Sequence, residues 1–231
     1  VKQDERVVTK AHYAHYMLKE IHEQDDVVRR CLADVIREHN FTQCIFPSEL
    51  ADLLKRSQFL HIVACGSSWH AAYIAKYWFE SMADVVCQVE IASEYRYRDM
   101  VVPPNSVFIA VSQSGETADT LAALRFAKAS TYDAVLSVCN VKSSAMYRES
   151  DFTLLTKAGI EVGVASTKAL TAQLTMLALI CLQTANLKRV NQDKFHAALM
   201  QLENLPTAIS RTLRLEPQII AMAKILTAYD N

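Results

Sequence analysis

Glycine is scarce in this chain. Four of its 231 residues are glycine and five are proline, so few positions can take a left-handed backbone or let a ligand approach the main chain closely. An excess of charge is also missing: 24 Lys and Arg stand against 25 Asp and Glu, a formal net charge of −1. A surface that coats nucleic acid needs clustered positive charge to displace phosphate counterions, and this balance excludes one. Close cysteine pairs are absent. Cys31, Cys44, Cys65, Cys87, Cys139 and Cys181 are widely spread, with no CxxC and no Cys/His cluster, which excludes the usual zinc spacings. Cys65, Cys87 and Cys139 fall in apolar strand-like runs, where free cysteine behaves as a small hydrophobe. The pattern reads as a reduced, cytoplasmic protein.

Long apolar runs are lacking too. The most apolar helical stretch, ALTAQLTMLALICLQTANL, is interrupted by Thr171, Gln173, Thr175, Gln183 and Thr184, and its longest unbroken apolar run is Met176–Leu182. A membrane span needs about 20 such residues, so a buried or interface helix is expected. The opening VKQDERVVTKAHY has no apolar segment of the kind found in signal peptides. Three phosphate and hydrolase signatures are absent. Without GxGxxG or GxxxxGK[ST] the chain is no dinucleotide or nucleoside-triphosphate binder of those types. Without GxSxG, its serines are not the nucleophile of an α/β-hydrolase.

What is present is a composition able to bury a core, 51% apolar and 21% charged. Tyr13, Met17, Ile21, Val28, Leu32, Val35 and Ile36 recur at helical spacing, so the chain up to about Asn40 is expected to be helical. A linker, FTQCIFPSEL, follows, with a second helix beginning near Ser48. From Phe59 strands and helices alternate: strands at 59–66, 85–92, 106–112, 134–141 and 151–159, with helices after the first (SWHAAYIAKYWFESMA) and third (Glu116–Ala129). Such apolar strands separated by helices indicate an α/β fold with a five-stranded parallel sheet covered on both faces. The rest is helical, roughly Ser166–Leu187, Gln192–Leu202 and Glu216–Tyr229. The expected organisation is an N-terminal linker and helix (1–45), a ligand-binding domain (46–190) and a helical connection (191–231).

The glycines punctuate this pattern at strand ends or in one loop. Gly66 ends the first strand and is followed by Ser67 and Ser68; Gly115 follows the third and sits among Ser112, Gln113, Ser114 and Thr117. In a flavodoxin-like order 2-1-3-4-5 the first and third strands are neighbours at the switch point, where open parallel sheets bind ligands. Each loop also opens a helix, whose N-terminal amides suit an anion. Amides and hydroxyls can therefore wrap a phosphate without lysine or arginine. The plainer reading makes Ser68 or Ser114 a helix cap, and the two roles can coexist. A third stretch, AGIEVGVASTKALT, opens the long helix: Ser166 and Thr167 read as its caps, and Val164 and Ala165 as backbone that meets a ligand. Gly159 reads equally well as ordinary turn punctuation. His61 and His70 read as core or surface histidines, Glu116 as a first-turn residue of its helix, and EYRYR (94–98) as a packed or interface segment. Glu161 is the best carboxylate near the crevice, but has no histidine partner.

The stretches ACGSSWHAAYIAKYWFE, VEIASEYRYR, SQSGETADTLAALRFAK, CNVKSSAMYRESD and GIEVGVASTKALTAQL, with HYMLKEIHEQ upstream, closely resemble the isomerase region of the glucosamine-6-phosphate synthase family, the isomerizing glutamine–fructose-6-phosphate aminotransferases. The match runs from about His12 to beyond Lys188. It implies a sugar-isomerase (SIS) fold and conversion of fructose 6-phosphate and glutamine to glucosamine 6-phosphate and glutamate, without cofactor or metal. By the resemblance Ser112, Gln113, Ser114 and Thr117 form the phosphate loop, Ser67 and Ser68 a second loop (Ser67 standing where threonine is usual), and Val164 and Ser166 meet the sugar. The family's glutaminase domain and its second SIS subdomain, which supplies the catalytic glutamate, histidine and lysine, are expected to lie outside this chain. The chain alone is therefore expected to be inactive and to form a homodimer, with no nucleic-acid or membrane partner. The alternative is a non-catalytic sugar-phosphate-sensing SIS domain of a regulator. A basic helix-turn-helix would precede such a sensor, whereas residues 12–40 mix Arg29, Arg30 and Arg37 with Glu20, Glu23, Asp25, Asp26 and Asp34. A free-standing isomerase would need its own base and histidine at the crevice, and no convincing pair stands out.

Overall fold

A computed structural model of the chain describes residues 9–36 and 46–229. The linker from Phe41 to Ile45, Cys44 within it, and Arg37 lie outside the described residues. In chain order the elements are α1 (Tyr16–His22), α2 (Gln24–Ile36), α3 (Ser48–Arg56), β1 (Phe59–Ala64), α4 (Gly66–Met82), β2 (Val86–Ile91), α5 (Ala92–Tyr95), β3 (Ser106–Val111), α6 (Ala118–Lys128), β4 (Ala134–Cys139), α7 (Ala145–Glu149), β5 (Phe152–Leu155), α8 (Lys168–Lys188), α9 (Gln192–Leu213) and α10 (Glu216–Leu226).

The five strands are all parallel, in the flavodoxin-like order β2-β1-β3-β4-β5. Every residue of β3 and β4 is buried, as required of central strands with helices on both faces. Successive side chains point to opposite faces, and the two faces build two cores. Leu60, Ile62, Val107, Ile109, Val111, Leu136 and Val138 face the helices α3, α4, α8 and α9. Val63, Phe108, Ala110 and Val135 face α5, α6 and α7. Leu177, in the middle of α8, is fully buried in the first core.

Among the described residues one helix, α8, is long and apolar enough to cross a membrane, with mean hydropathy 1.4 over its most apolar window. Of that window 67% is buried inside the fold. Two of the polar residues that interrupt it are satisfied within the helix: Thr175 and Thr184 donate to the carbonyls of Thr171 and Ile180 one turn back, which satisfies their hydroxyls in an apolar setting.

His61 is a core histidine. Its Nδ1 lies 2.7 Å from the Tyr132 hydroxyl, which in turn accepts from Tyr95. Glu90 Oε1 is 3.2 Å from Nε2 without the alignment of a hydrogen bond. That nearness favours the charged ring, but burial and then the charge of Arg98 push the pKa down to about 4, and desolvation prevails. The buried thiols of Cys31 and Cys87 are pushed up to about 12 by the same cause. The five described cysteines are all free.

Several boundaries differ from the sequence reading. The N-terminal helical stretch is two helices meeting at Glu23. Helix α9 continues through Pro206 to Leu213 rather than stopping near Leu202. An interior proline costs about 3 kcal/mol, and burial of Leu202 and Pro206, with Leu205 and Ile209 packed against the core, offsets it. Strand β5 stops at Leu155; Thr156 N still donates to Cys139 O, but beyond it the chain turns to a side chain, Asn140, which accepts from Thr156 Oγ1 and the Ala158 amide and donates to the Gly159 carbonyl. The short helix α7, not anticipated, is capped by Ser144, whose hydroxyl accepts from the Tyr147 amide.

The junction of α1 and α2 is tied to α8. Lys168, 3% exposed, places its Nζ 2.6 Å from Glu23 Oε2, and Lys19 is 3.1 Å from Oε1. Burial raises the Glu23 carboxyl, but hydrogen bonds from Lys168 and Lys19 outweigh it and the pKa falls below the ordinary glutamate value. A carboxyl depressed on folding contributes stability above its unfolded pKa, and that stability is lost as pH falls through the lower folded value. Glu23→Gln is therefore expected to cost about 1.5–3 kcal/mol near neutrality, the range of a hydrogen bond to a charged group. Thermal melts across a pH series should show that gap closing in acid below about pH 4.3, the unfolded glutamate value. A gap that stays constant into strong acid would refute the account.

Candidate functional site

The register pairs Ala64 of β1 with Val111 of β3, so the loops that follow, Cys65–Ser68 and Ser112–Thr117, leave neighbouring strands side by side. The chain goes to β2 on one side of β1 and returns to β3 on the other, which makes this edge the switch point of the sheet. Thr120 of α6 reaches across it, 3.9 Å from Cys65 Sγ.

The second loop is held by many small bonds. Ser112 N continues the ladder to Val138 O at 3.1 Å, and Asn140 N donates to Gln113 O at 3.1 Å. Ser112 Oγ accepts from Gly115 N at 3.1 Å and lies 2.9 Å from Thr117 Oγ1. Ser114 Oγ accepts from Glu116 N at 3.1 Å. Gly115 has φ +68, and a Cβ there would stand 2.6 Å from Ser144 Cβ, so no other residue fits without displacing that neighbour. Its carbonyl accepts from Met146 N. The Glu116 carboxylate turns away from the crevice and accepts from Ala145 N at 2.7 Å, so it serves the start of α7 and not, as read from the sequence, the first turn of its own helix.

The structure places Ser68, buried, and Ser67, half-buried, in the first turn of α4. Ser68 Oγ accepts from Gln173 Nε2 at 3.0 Å, a tie to α8. Gly66 takes φ +57 at the turn. Neither Ser68 nor Ser114 caps a helix: α4 and α6 both begin without a side-chain cap. His70 is exposed on α4, edge-on to Trp69.

The third loop differs. Val164 is fully exposed, at 107%, and Ser166 Oγ donates to Glu161 Oε2 at 3.0 Å. Glu161 Oε1 accepts from the amides of Thr167 and Ala169 at 3.0 and 3.1 Å. The cap of α8 is thus Glu161, and not Ser166 or Thr167. This disposes of Glu161 as a free carboxylate: its oxygens are committed to a helix N-terminus, where negative charge is favoured.

Three helices of eight or more residues therefore start at this edge in two different ways. Helix α8 carries its own anion. Helices α4 and α6 present uncapped N-terminal amides beside the hydroxyls of Ser67, Ser68, Ser112, Ser114 and Thr117, an arrangement suited to an anion with several oxygens. Sequence reasoning grouped those two loops but missed Gln173, Asn140 and Ser144, which hold them. Gln173 had a signal, a lone amide in an apolar helix. Among the described residues no three His, Cys, Asp or Glu side chains are grouped to hold a metal ion.

Comparison with known proteins shows the family. Residues 53–182 match the SIS domain family. The chain is 47% identical over 94% of its length to a Pseudomonas syringae protein named glutamine–fructose-6-phosphate aminotransferase (isomerizing), and 50% identical over 87% to a Haemophilus ducreyi protein of the same name. It covers 36% and 33% of those proteins, so it spans about a third of their length. The solved C-terminal domain of glucosamine-fructose-6-phosphate aminotransferase from Francisella tularensis superposes with a TM-score of 0.84 at 42% identity, over 93% of this chain and 60% of that one. Tagatose-6-phosphate ketose/aldose isomerase from Escherichia coli shares the fold, with a TM-score of 0.62 at 21% identity, over 86% of this chain and 54% of that one.

Two substitutions separate the two kinds of helix start. Glu161→Ala is expected to cost about 1–2 kcal/mol in stability, the worth of a cap, and to leave phosphate affinity at the switch point unchanged. Thr117→Val is expected to weaken phosphate binding by about 1.5–3 kcal/mol while costing about 1 kcal/mol of stability, one neutral hydrogen bond. Calorimetric titration beside thermal melts reads both. A Thr117→Val chain that is destabilised but binds normally would reduce the hydroxyl pair to a brace.

Proposed function

The chain belongs to the SIS domain family, and from that premise we propose that it is the sugar-phosphate-binding half of the isomerase region of an enzyme converting fructose 6-phosphate and glutamine to glucosamine 6-phosphate and glutamate. The observation that carries the proposal is the pair of helix starts at the switch point whose N-cap residues make no side-chain cap, furnished with hydroxyls. Ser112, Gln113, Ser114 and Thr117 hold the phosphate together with Ser67 and Ser68. Val164, through its backbone, and Ser166 meet the sugar. Hydrogen bonds from neutral donors to a dianion contribute about 1.5–3 kcal/mol each, so the loops hold the phosphate end while leaving the carbon skeleton free for chemistry.

Moving a proton between adjacent sugar carbons needs a base within hydrogen-bond reach. The carboxylates near this edge are engaged elsewhere: Glu116 at α7, Glu161 at α8, and Glu20 at the Val162 and Gly163 amides. The base, the ring-opening acid and the glutamine-hydrolysing nucleophile are accordingly proposed to come from other parts of the parent enzyme, a second SIS subdomain and a glutaminase domain. Association as a homodimer is part of the same proposal. It is supported by the aromatic ladder Trp69–Tyr73–Tyr77 on α4, exposed at Tyr73 and Tyr77, and by α10, none of whose residues is buried. The proposed compartment is the cytoplasm.

Calorimetry should show binding of glucose 6-phosphate and fructose 6-phosphate but not of glucose; equal affinity for glucose and its phosphate would sink the phosphate assignment. Incubation of the chain alone with fructose 6-phosphate and ammonia or glutamine is expected to give no aminosugar above background. Turnover abolished by Glu161→Gln would return that residue to catalysis.

A further inference from the structure

Glu20 of α1 is 2% exposed, and a buried carboxylate is costly unless it is fully partnered. Its partners in the 160s loop are backbone amides. Oε1 lies 2.6 Å from Val162 N and 3.2 Å from Gly163 N, and Oε2 lies 3.1 Å from Gly163 N. A residue 143 positions away in sequence thus grips two consecutive amides immediately before Val164. Gly163 permits the grip, because a Cβ there would stand 2.6 Å from Glu20 Oε2 and 3.5 Å from Met17 Cα.

The same helix junction holds the far side of the loop. Glu23 binds Lys168 Nζ at 2.6 Å, and Gln24 Oε1 accepts from Thr171 Oγ1 at 2.5 Å. Within the loop Glu161 fixes Ser166, Thr167 and Ala169. Val164 and Ala165 therefore span the gap between two carboxylate clamps. They are exposed and gain nothing from packing, so their backbone direction is set by the clamps on either side. The phosphate loops are braced differently, by Val138, Asn140 and Ser144.

We propose that Glu20 is a positioning residue: by holding the amides of Val162 and Gly163 it aims the backbone of Val164–Ser166 at the sugar, so that α1 controls affinity for the carbohydrate and not for the phosphate. The inference rests on the assignment of Val164 and Ser166 to the sugar made above. Because the two ends of the ligand are held by separately braced loops, inorganic phosphate reads one set and fructose 6-phosphate reads both.

The test is calorimetric titration of the 231-residue chain and its Glu20→Ala and Glu20→Gln variants with both ligands, with circular dichroism to check folding. In Glu20→Ala, fructose 6-phosphate affinity is expected to fall about tenfold or more and phosphate affinity to change less than about twofold, as for the loss of charge-assisted hydrogen bonds at one end only. Glu20→Gln keeps one accepting oxygen and turns an amide donor toward Gly163 N, so it is expected to fall between wild type and Glu20→Ala. Should Glu20→Ala fail to fold, the same shift in the ratio of the two affinities is read from Glu20→Gln. Equal losses for both ligands, or an unchanged fructose 6-phosphate affinity in a folded variant, overturn the positioning role alone. A wild-type chain that binds neither ligand overturns the functional reading and this inference with it. A wild type that binds phosphate as tightly as fructose 6-phosphate removes the sugar contact on which the inference depends.

Discussion

A parallel sheet covered by returning helices delivers the N-terminus of each following helix to the same edge, and each N-terminus brings backbone amides that no residue of its own helix can satisfy. The rest of this structure follows from how those amides find acceptors. At α7 they are met by Ser144 and Glu116. At α8 they are met by Glu161. At α4 and α6 the N-cap residues, Cys65 and Thr117, bring no side-chain hydrogen bond to them. Those two helices follow neighbouring strands at the point where the winding reverses, so these helix starts gather in one place. The multi-oxygen anion proposed above would complete the accounting there, as carboxylates do elsewhere along the edge.

This division explains why the carboxylates close to the crevice are poor candidates for catalysis. Glu20, Glu116 and Glu161 all spend their oxygens on backbone amides. A carboxylate in that role is held in one orientation by its donors, whereas a general base must be free to turn to a substrate proton. The acids at this edge are occupied by the fold itself.

Rigidity is distributed to suit. The Ser112–Thr117 loop is cross-braced by β4 and the start of α7, and Gly115 is pressed against Ser144 so closely that a Cβ would collide. The loop before α8 has an exposed middle and is tied to α1 and α2 through Glu20, Glu23 and Gln24. Long α8 links the two, since Gln173 donates to Ser68 at the start of α4 while Lys168 and Thr171 reach the N-terminal helices. Of the polar side chains that interrupt the apolar run of α8, Thr171 and Gln173 make these connections.

Strand existence and order, the parallel sheet and the two hydroxyl-rich loops were legible in the sequence, because they depend on local signals: alternation of apolar runs with helical periods, and scarce glycines placed after strands. Boundaries were less legible where tertiary packing overrode a local rule, as when α9 ran through Pro206 and β5 yielded to the side chain of Asn140. The capping pattern was decided by the tertiary structure. Glu116 reads locally as a first-turn residue and instead serves Ala145, 29 positions on; Ser166 and Thr167 read as caps and were displaced by Glu161. Glu20 and Gly163 have nothing in sequence to join them. The sequence by itself determined which donors and acceptors exist and on which elements they ride. Which acceptor reaches which amide was decided only by the tertiary structure, because a hydrogen bond requires approach within about 3 Å, and between residues more than a hundred positions apart only the packed fold creates that approach.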